Sequence, residues 1–400
     1  PLSGTPFAYI HAYIFSLLAI FSLLVAIKKK SKVLWFLFPY ICVFAFLSMQ
    51  TPTAYILIIL FVLITVNFFN DKSTENLKFF VFGSVTSLIL FLFFLFVTKT
   101  PIINFIYQYI LFPLTIGEGR ITSKDIAYIG LIDQLNFKRL FGEFKFIHLF
   151  LIPLISFTIK NFKKNNKNLN FLNFTIIFSV FAFIFNQLIT ANQIYIFSLI
   201  PILGAILHIN LINNKINARL FYVIIFFVLF ATVKFHLRFN VERKFHDLEG
   251  VDKSQAILAN KINKNFNHLK WISKFDDPQN ELKVIEKAIN IIENDNRKKI
   301  LITHYQFMST ILDKPLNILN RWYLWDNNTH PTENHKYFEV YKSLINMNIR
   351  NNKIKVIYLL GQENEIKFEN VKNYFTDTCF ESNTIIPKRF SEHKLINCEK

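Results

Sequence analysis

The first 70 residues contain no aspartate and no glutamate; the first carboxylate in the chain is Asp71. Chemistry that needs a paired acid and base must draw its carboxylates from elsewhere. Cys/His pairs at zinc spacing, a Walker loop, a nucleophile elbow and a dinucleotide glycine fingerprint are all absent. With them go the motif-borne readings of zinc finger, P-loop NTPase, α/β-hydrolase and nicotinamide enzyme. Cysteine is scarce, at Cys42, Cys379 and Cys398 only. No basic stretch precedes the first apolar run, so nothing at the start reads as a signal peptide. A chain that opens on Pro1 rather than Met is expected to be the C-terminal part of a longer protein.

Apolar residues fill the space these absences leave. The chain is 52% hydrophobic with 48 Phe, above the about 45–50% apolar share of a soluble domain, and its mean hydropathy is positive despite a long polar tail. Lipid is therefore the expected solvent for half of it. The net charge of +18 suggests nucleic acid in a soluble protein. Here the lysines cluster beside apolar runs, where lipid headgroups and membrane topology account for them, so membrane lipids and not nucleic acid are the expected partner. Lys, Asn, Ile and Phe dominate, a bias resembling that of an AT-rich bacterial genome.

Eight apolar runs near the length of a membrane span, about 20 residues, lie at 6–27, 33–48, 53–69, 79–97, 144–159, 171–189, 194–212 and 220–235. Every second connection is basic: Lys28, Lys29, Lys30 and Lys32; Lys72 and Lys78; Lys160, Lys163, Lys164 and Lys167; Lys215 and Arg219. The turns at 49–52 and 190–193 carry no charge. The positive-inside rule puts the basic connections in the cytoplasm and these turns outside, together with the tail. The stretch 98–143 interleaves apolar and polar residues at helical spacing, a pattern that lies along an interface more readily than it crosses one.

The expected fold is an α-helical polytopic membrane region over 1–235, with an α/β domain outside the membrane over 236–400. Asp277 before Pro278, with Glu281 in the first turn, predicts a capped helix running to Ile292. Short apolar runs at 299–303, 316–319 and 354–360 predict parallel strands. Cys379 and Cys398 are expected to pair in an oxidising compartment, while Cys42 reads as a small apolar residue inside a span.

Three groups of residues carry possible chemistry. His11, Gln50, Thr51, Tyr55, Asn192, Gln193 and Tyr195 sit at the outer ends of spans, facing a cavity or serving as ordinary interfacial turns. Glu118, Arg120, Asp125 and Asp133 lie between the fourth and fifth spans, where carboxylates can hold a divalent cation and an arginine can pair with phosphate, or where all four are solvated loop charges. In the tail, His304, Asn320, Arg321, Trp322, Tyr323, Asp326, Asn328 and His330 follow predicted strands, where ligands of parallel sheets collect. The aromatics there suit either sugar stacking or contact with a membrane surface.

The span layout, the turn Ser48-Met49-Gln50-Thr51-Pro52-Thr53-Ala54-Tyr55 and the segment Thr190-Ala191-Asn192-Gln193-Ile194-Tyr195 before Pro201 resemble the later spans of bacterial GT-C glycosyltransferases. These are the multispanning enzymes related to protein O-mannosyltransferases and lipid A aminoarabinose transferases. The resemblance covers residues 1–235 and leaves the tail unmatched. It implies transfer of a sugar from a polyprenyl-phosphate donor to a lipid, glycan or protein acceptor on the outer side of the bacterial inner membrane, with the tail in the periplasm. By that resemblance Gln50, Tyr55, Glu118, Arg120, Asn192 and Gln193 bind the donor; outside it, the tail residues His304, Asn320, Arg321, Tyr323 and His330 are expected to bind the acceptor from their place after the predicted strands. No cofactor is fixed beyond a possible divalent cation. The family's catalytic aspartate lies in its first outer loop, and with no acid before Asp71 it is expected upstream of Pro1. The competing readings are a transporter or flippase of lipid-linked sugars, which needs charges or helix breaks within the spans, and a membrane-anchored glycan-binding or assembly protein.

Overall fold

A computed structural model describes the chain outside 1–7, 72–73, 123–134, 165, 191–195, 218, 243–247, 249, 274–275, 318–319, 321–322, 324–328, 363–365, 376–377 and 397–400, with backbone alone at 70–71 and 239–240. It divides into two compact units, Pro1–Lys244 and Phe245–Lys400.

The first unit is helical. Its main helices are α1 (Ala8–Lys29), α2 (Lys32–Ser48), α3 (Gln50–Asp71) and α4 (Thr74–Val97), then α5 (Ile102–Phe105) and α6 (Phe112–Thr122), then α7 (Lys145–Lys163), α8 (Lys167–Thr190), α9 (Leu199–Asn213) and α10 (Leu220–His236). Among the described residues six segments are long and apolar enough to cross a membrane, two fewer than the eight expected spans. The two that fall short, α2 and α10, have 17 residues each. At 1.5 Å per residue they reach about 26 Å, below the about 30 Å hydrocarbon core.

These helices are apolar all round, so packing rather than amphipathicity sorts their faces. In α4 only 17% of the spanning window is buried, against 72% in α8; α8 is the core helix of the unit and α4 its edge. On α1 the buried residues Tyr9, Ala12, Ser16, Ala19, Leu23 and Ala26 recur at alternating three- and four-residue steps, which makes one seam. Small side chains on such a seam let helix backbones come close. The Ser16 hydroxyl meets the Thr53 hydroxyl of α3 at 3.3 Å, and Thr53 Oγ1 donates to the Ala45 carbonyl of α2 at 3.1 Å. Gly83 on α4 is closer still: a Cβ there would stand 2.2 Å from the Phe36 carbonyl oxygen of α2.

Turns of a few residues join α1 to α4 and α7 to α10, so successive helices reverse direction. One end of the unit gathers Lys28, Lys29 and Lys32, the start of α4, Lys160, Lys163, Lys164 and the end of α9. The opposite end carries none of these lysines. Lys99, Lys145 and Lys234 stand at that opposite end, and across it runs a helical stretch, α5, a π-helix over Ile106–Leu111, and α6. Phe105 packs on Phe91 of α4, Tyr109 packs on Phe46 of α2, and α6 packs on α8. Phe46 lies in the last turn of α2 and Phe91 in the last two turns of α4, so the stretch lies over the bundle end.

In the second unit β3 (Lys299–Thr303), β4 (Val356–Leu360), β5 (Cys379–Ile386) and β6 (Phe390–Ile396) form one sheet in the order β3-β4-β6-β5; β1 (Ile257–Leu258) and β2 (Lys270–Trp271) form a separate pair. Only β3 and β4 are parallel, and β6 and β5 join them antiparallel. The predicted strand at 316–319 is corrected: Leu316 and Asn317 are irregular, though the Leu316 carbonyl accepts from Leu301 N at 3.1 Å and Asn317 Nδ2 donates to the Lys299 carbonyl at 2.9 Å. Residues 318–319 lie outside the described residues. Alternation along the strands separates two cores. Leu301, Val356, Tyr358 and Leu360 face helix α11 (Pro278–Asn294) through Leu282, Ile285, Ile289 and Ile292. Ile300, Ile302, Ile357 and Leu359 face α12 (Phe338–Asn351) through Phe338, Tyr341 and Ile345. The predicted cap is present: the Asp277 carboxylate accepts from Asn280 N at 2.9 Å, with Pro278 opening α11.

Candidate functional site

At the end of the helical unit opposite the Lys28–Lys32 cluster, Gln50 opens α3 and its Nε2 donates to the Tyr109 carbonyl at 2.9 Å, while the Tyr109 hydroxyl donates to the Phe46 carbonyl at 2.7 Å. This pair of bonds clamps the crossing stretch onto the ends of α2 and α3. One helical turn on, the Tyr55 ring packs edge-on against Phe185 of α8, with centroids 5.2 Å apart. Arg120 on α6 lies within electrostatic range of Tyr55. Gln50, Tyr55 and Arg120, distant in sequence, therefore converge on one bundle end. Glu118 does not join them. It is exposed, because residues two apart on a helix point in different directions. Asn192 and Gln193, with Asp125 and Asp133, lie outside the described residues. Among the described residues no group of three or more His, Cys, Asp or Glu is placed to hold a metal ion.

Sequence reasoning missed the residues beneath this surface. Asn186 Nδ2 and Gln187 Nε2 donate to the Tyr9 hydroxyl at 3.0 and 2.5 Å, and Ser198 Oγ donates to the Tyr13 hydroxyl at 2.8 Å. Asn186, Gln187, Tyr9 and Tyr13 are buried. The available signal was two adjacent amides inside the apolar run 171–189. Their partners on α1 are more than 170 positions away, and no local pattern reveals them.

Comparison with protein-family models, curated proteins and solved structures finds no match for this chain.

In the second unit the predicted tail residues do come together, but they face inward. Tyr323 N donates to His304 Nε2 at 3.2 Å, which fixes that imidazole nitrogen as the acceptor, and Asn320 N donates to the Tyr323 hydroxyl at 3.4 Å. His330 is walled by the rings of Tyr323, Tyr341 and Tyr374 at 5.6, 5.9 and 5.8 Å. The Tyr374 hydroxyl donates to the Pro331 carbonyl at 2.9 Å. Burial pushes the Tyr341 and Tyr374 hydroxyls above the ordinary phenol range. With Tyr323 5% and His330 1% exposed, this is a packed aromatic cage; His304 and Asn320, both half-buried, form its rim. Arg321 lies outside the described residues, as do Trp322, Asp326 and Asn328. Cys379 is disulfide-bonded and Cys42 is free; Cys398 lies outside the described residues.

A second polar cluster sits beyond the carboxyl ends of β3 and β4. Glu281, on the first turn of α11, is 2% exposed. Its carboxylate accepts from Trp271 Nε1 at 2.9 Å, the Tyr305 hydroxyl at 2.6 Å and Gln362 Nε2 at 3.4 Å. Three neutral donors and the positive end of the helix dipole hold this buried anion. Nearby in sequence, Asp276 pairs with Arg389, whose guanidinium holds the Asp276 carboxyl below the usual range.

Proposed function

We propose that the chain transfers a sugar from a polyprenyl-phosphate donor to a lipid, glycan or protein acceptor, in the manner of the GT-C glycosyltransferases its span layout resembles. The observation that carries this reading is that Arg120 lies within electrostatic range of Tyr55 at the bundle end where Gln50 bonds the crossing stretch. A guanidinium there suits the donor phosphate at the membrane surface, and the buried amides and hydroxyls of α8 and α1 suit a neutral sugar. By the positive-inside rule that end is outside the cytoplasm. α10 leads away from the basic end, so the second unit follows on the outer, periplasmic side of a bacterial inner membrane. In this topology α2 and α10 cross as well, making eight spans, since each connects the two ends that its longer neighbours connect.

The test is transfer of radiolabelled sugar from polyprenyl-phosphate donors by the full chain in lipid nanodiscs. Labelled acceptor is expected, with a loss of about tenfold or more in Arg120→Ala, the scale of one charged phosphate contact. Translocation of intact donor across sealed vesicles without transfer overturns the reading in favour of a transporter. Donor left untouched and untransported overturns it in favour of a binding or assembly role.

A further inference from the structure

Asn186 and Gln187 lie in the last turns of α8 and are each 1% exposed. Both amide nitrogens donate to one oxygen, the Tyr9 hydroxyl, at 3.0 and 2.5 Å. The two amide oxygens, Asn186 Oδ1 and Gln187 Oε1, are shielded from solvent and have no hydrogen-bond partner. Turning either amide over exchanges its oxygen for its nitrogen and still leaves one polar end unmatched. Buried polar groups without partners are rare in native proteins and costly to keep. Here two occur side by side, directly after Phe185, the residue that packs on Tyr55.

The chemistry of the missing partner follows from these groups. Among the described residues no charged side chain hydrogen-bonds to either amide. Two amides without a carboxylate are a poor site for a divalent cation, which takes carboxylate and carbonyl oxygens in larger sets. An anion offers acceptors alone and leaves an amide oxygen unsatisfied. A hydroxyl both donates and accepts, so it matches either amide orientation. Tyr13, one helical turn from Tyr9 on α1, adds a third polar group through its bond with Ser198.

We propose that Asn186 and Gln187 form a hydroxyl-recognising subsite that takes the sugar of the lipid-linked donor; this rests on the transferase reading given above. The phosphate end of the donor falls to Arg120 and the neutral polyol end to the amide pair, so the subsite selects glycosylated carrier over bare carrier.

The experiment measures binding of bare polyprenyl phosphate and of its glucosyl, mannosyl and arabinosyl forms to the full chain in nanodiscs, for wild type, Asn186→Leu and Gln187→Met. At least one sugar-linked form is expected to bind wild type about tenfold tighter than the bare carrier, as expected of buried groups left unpaired without it. In the two variants that difference should shrink to about threefold or less, while affinity for the bare carrier, which also reports a folded site, stays unchanged. Equal affinity of wild type for bare and glycosylated carriers overturns the subsite without need of any variant, and leaves the transferase reading standing. A difference that persists in both folded variants also overturns it, and points to water as the partner of the amides. Failure of every carrier to bind overturns the transferase reading and the subsite with it.

Discussion

Asn173 of α8 and Asn210 of α9 exchange a reciprocal pair of side-chain hydrogen bonds, each Nδ2 donating to the other's Oδ1 at 2.9 Å. Asn161 of α7 donates to the same Asn210 oxygen at 2.8 Å, and Asn214 donates to Asn161 Oδ1 at 2.9 Å. Three helices are thus tied by four amides near the lysine-rich end, where apolar side chains alone give no preference between protein and lipid neighbours. Asn210→Ala strands the Asn161 and Asn173 amides together. It is expected to lower unfolding stability by about 1–3 kcal/mol, read as an earlier midpoint on thermal unfolding of the full chain in detergent. An unchanged midpoint would show that lipid or water satisfies these amides equally well.

Two glycines should respond oppositely to the same change. At Gly83 a Cβ meets the Phe36 carbonyl, a backbone atom that cannot rotate away, whereas at Gly117 nothing lies within 4 Å. Gly83→Ala is expected to force α4 off α2 and cost about 1–3 kcal/mol. Gly117→Ala, on helix α6, should be neutral or gain up to about 1 kcal/mol from helix propensity. Unfolding midpoints of the two variants, measured side by side, decide it.

Glu281 ties the start of α11 to Trp271, Tyr305 and Gln362. Glu281→Ala leaves three donors without their acceptor and is expected to cost about 3 kcal/mol, with red-shifted tryptophan emission as Trp271 loses its partner. Glu281→Gln keeps an acceptor for the indole and should lie between wild type and the alanine variant. Matching stability of all three proteins would remove the carboxylate from the account of this unit.

Acid should loosen the second unit through His393. Burial pushes this imidazole down from its ordinary 6.5 to about 4, against the smaller upward pull of Glu369 and Glu392. Its nitrogens meet the Ser382 and Ser391 hydroxyls at 2.8 and 2.9 Å, and its ring stacks on Phe368 at 3.7 Å. Because the folded value lies below the unfolded one, unfolding takes up a proton between about pH 6.5 and 4. The contribution is complete above pH 6.5 and is lost as pH falls through that window, with a slope of at most about 1.4 kcal/mol per pH unit. Hydrogen exchange of the β5 and β6 amides in the full chain should show this slope, and His393→Gln should flatten it. His335, also pushed down by burial, adds in the same direction and remains in the variant. Asp276 acts at lower pH: its depressed carboxyl lends stability that is lost only as pH falls below the ordinary carboxylate range.

Elements governed by neighbours in sequence were legible. Long apolar runs specified most of the helices, alternating lysines marked the two ends of the bundle, and Asp277-Pro278 set the start of α11 through a cap that needs only three residues. β3 and β4 were visible as short buried runs. The C-terminal hairpin of β5 and β6 was not: Cys379–Ile386 carries several exposed polar residues, and its place in the sheet depends on pairing with β6 and, through it, β4. The tail residues His304, Asn320, Tyr323 and His330 come together, and their inward orientation depends on Tyr341 and Tyr374, which arrive from later in the chain.

The polar residues of the helical unit mark the limit most sharply. By itself the sequence determined that these segments prefer lipid and which of their ends is basic, because hydrophobicity and charge are properties of each segment alone. Helices that are apolar all round carry no stripe to say which side faces a neighbour. Whether Asn186 and Gln187 point to lipid or to Tyr9, and whether Arg120 comes within electrostatic range of Tyr55 while Glu118 is exposed, only the tertiary structure decided, since each depends on the packing of helices far apart in the chain.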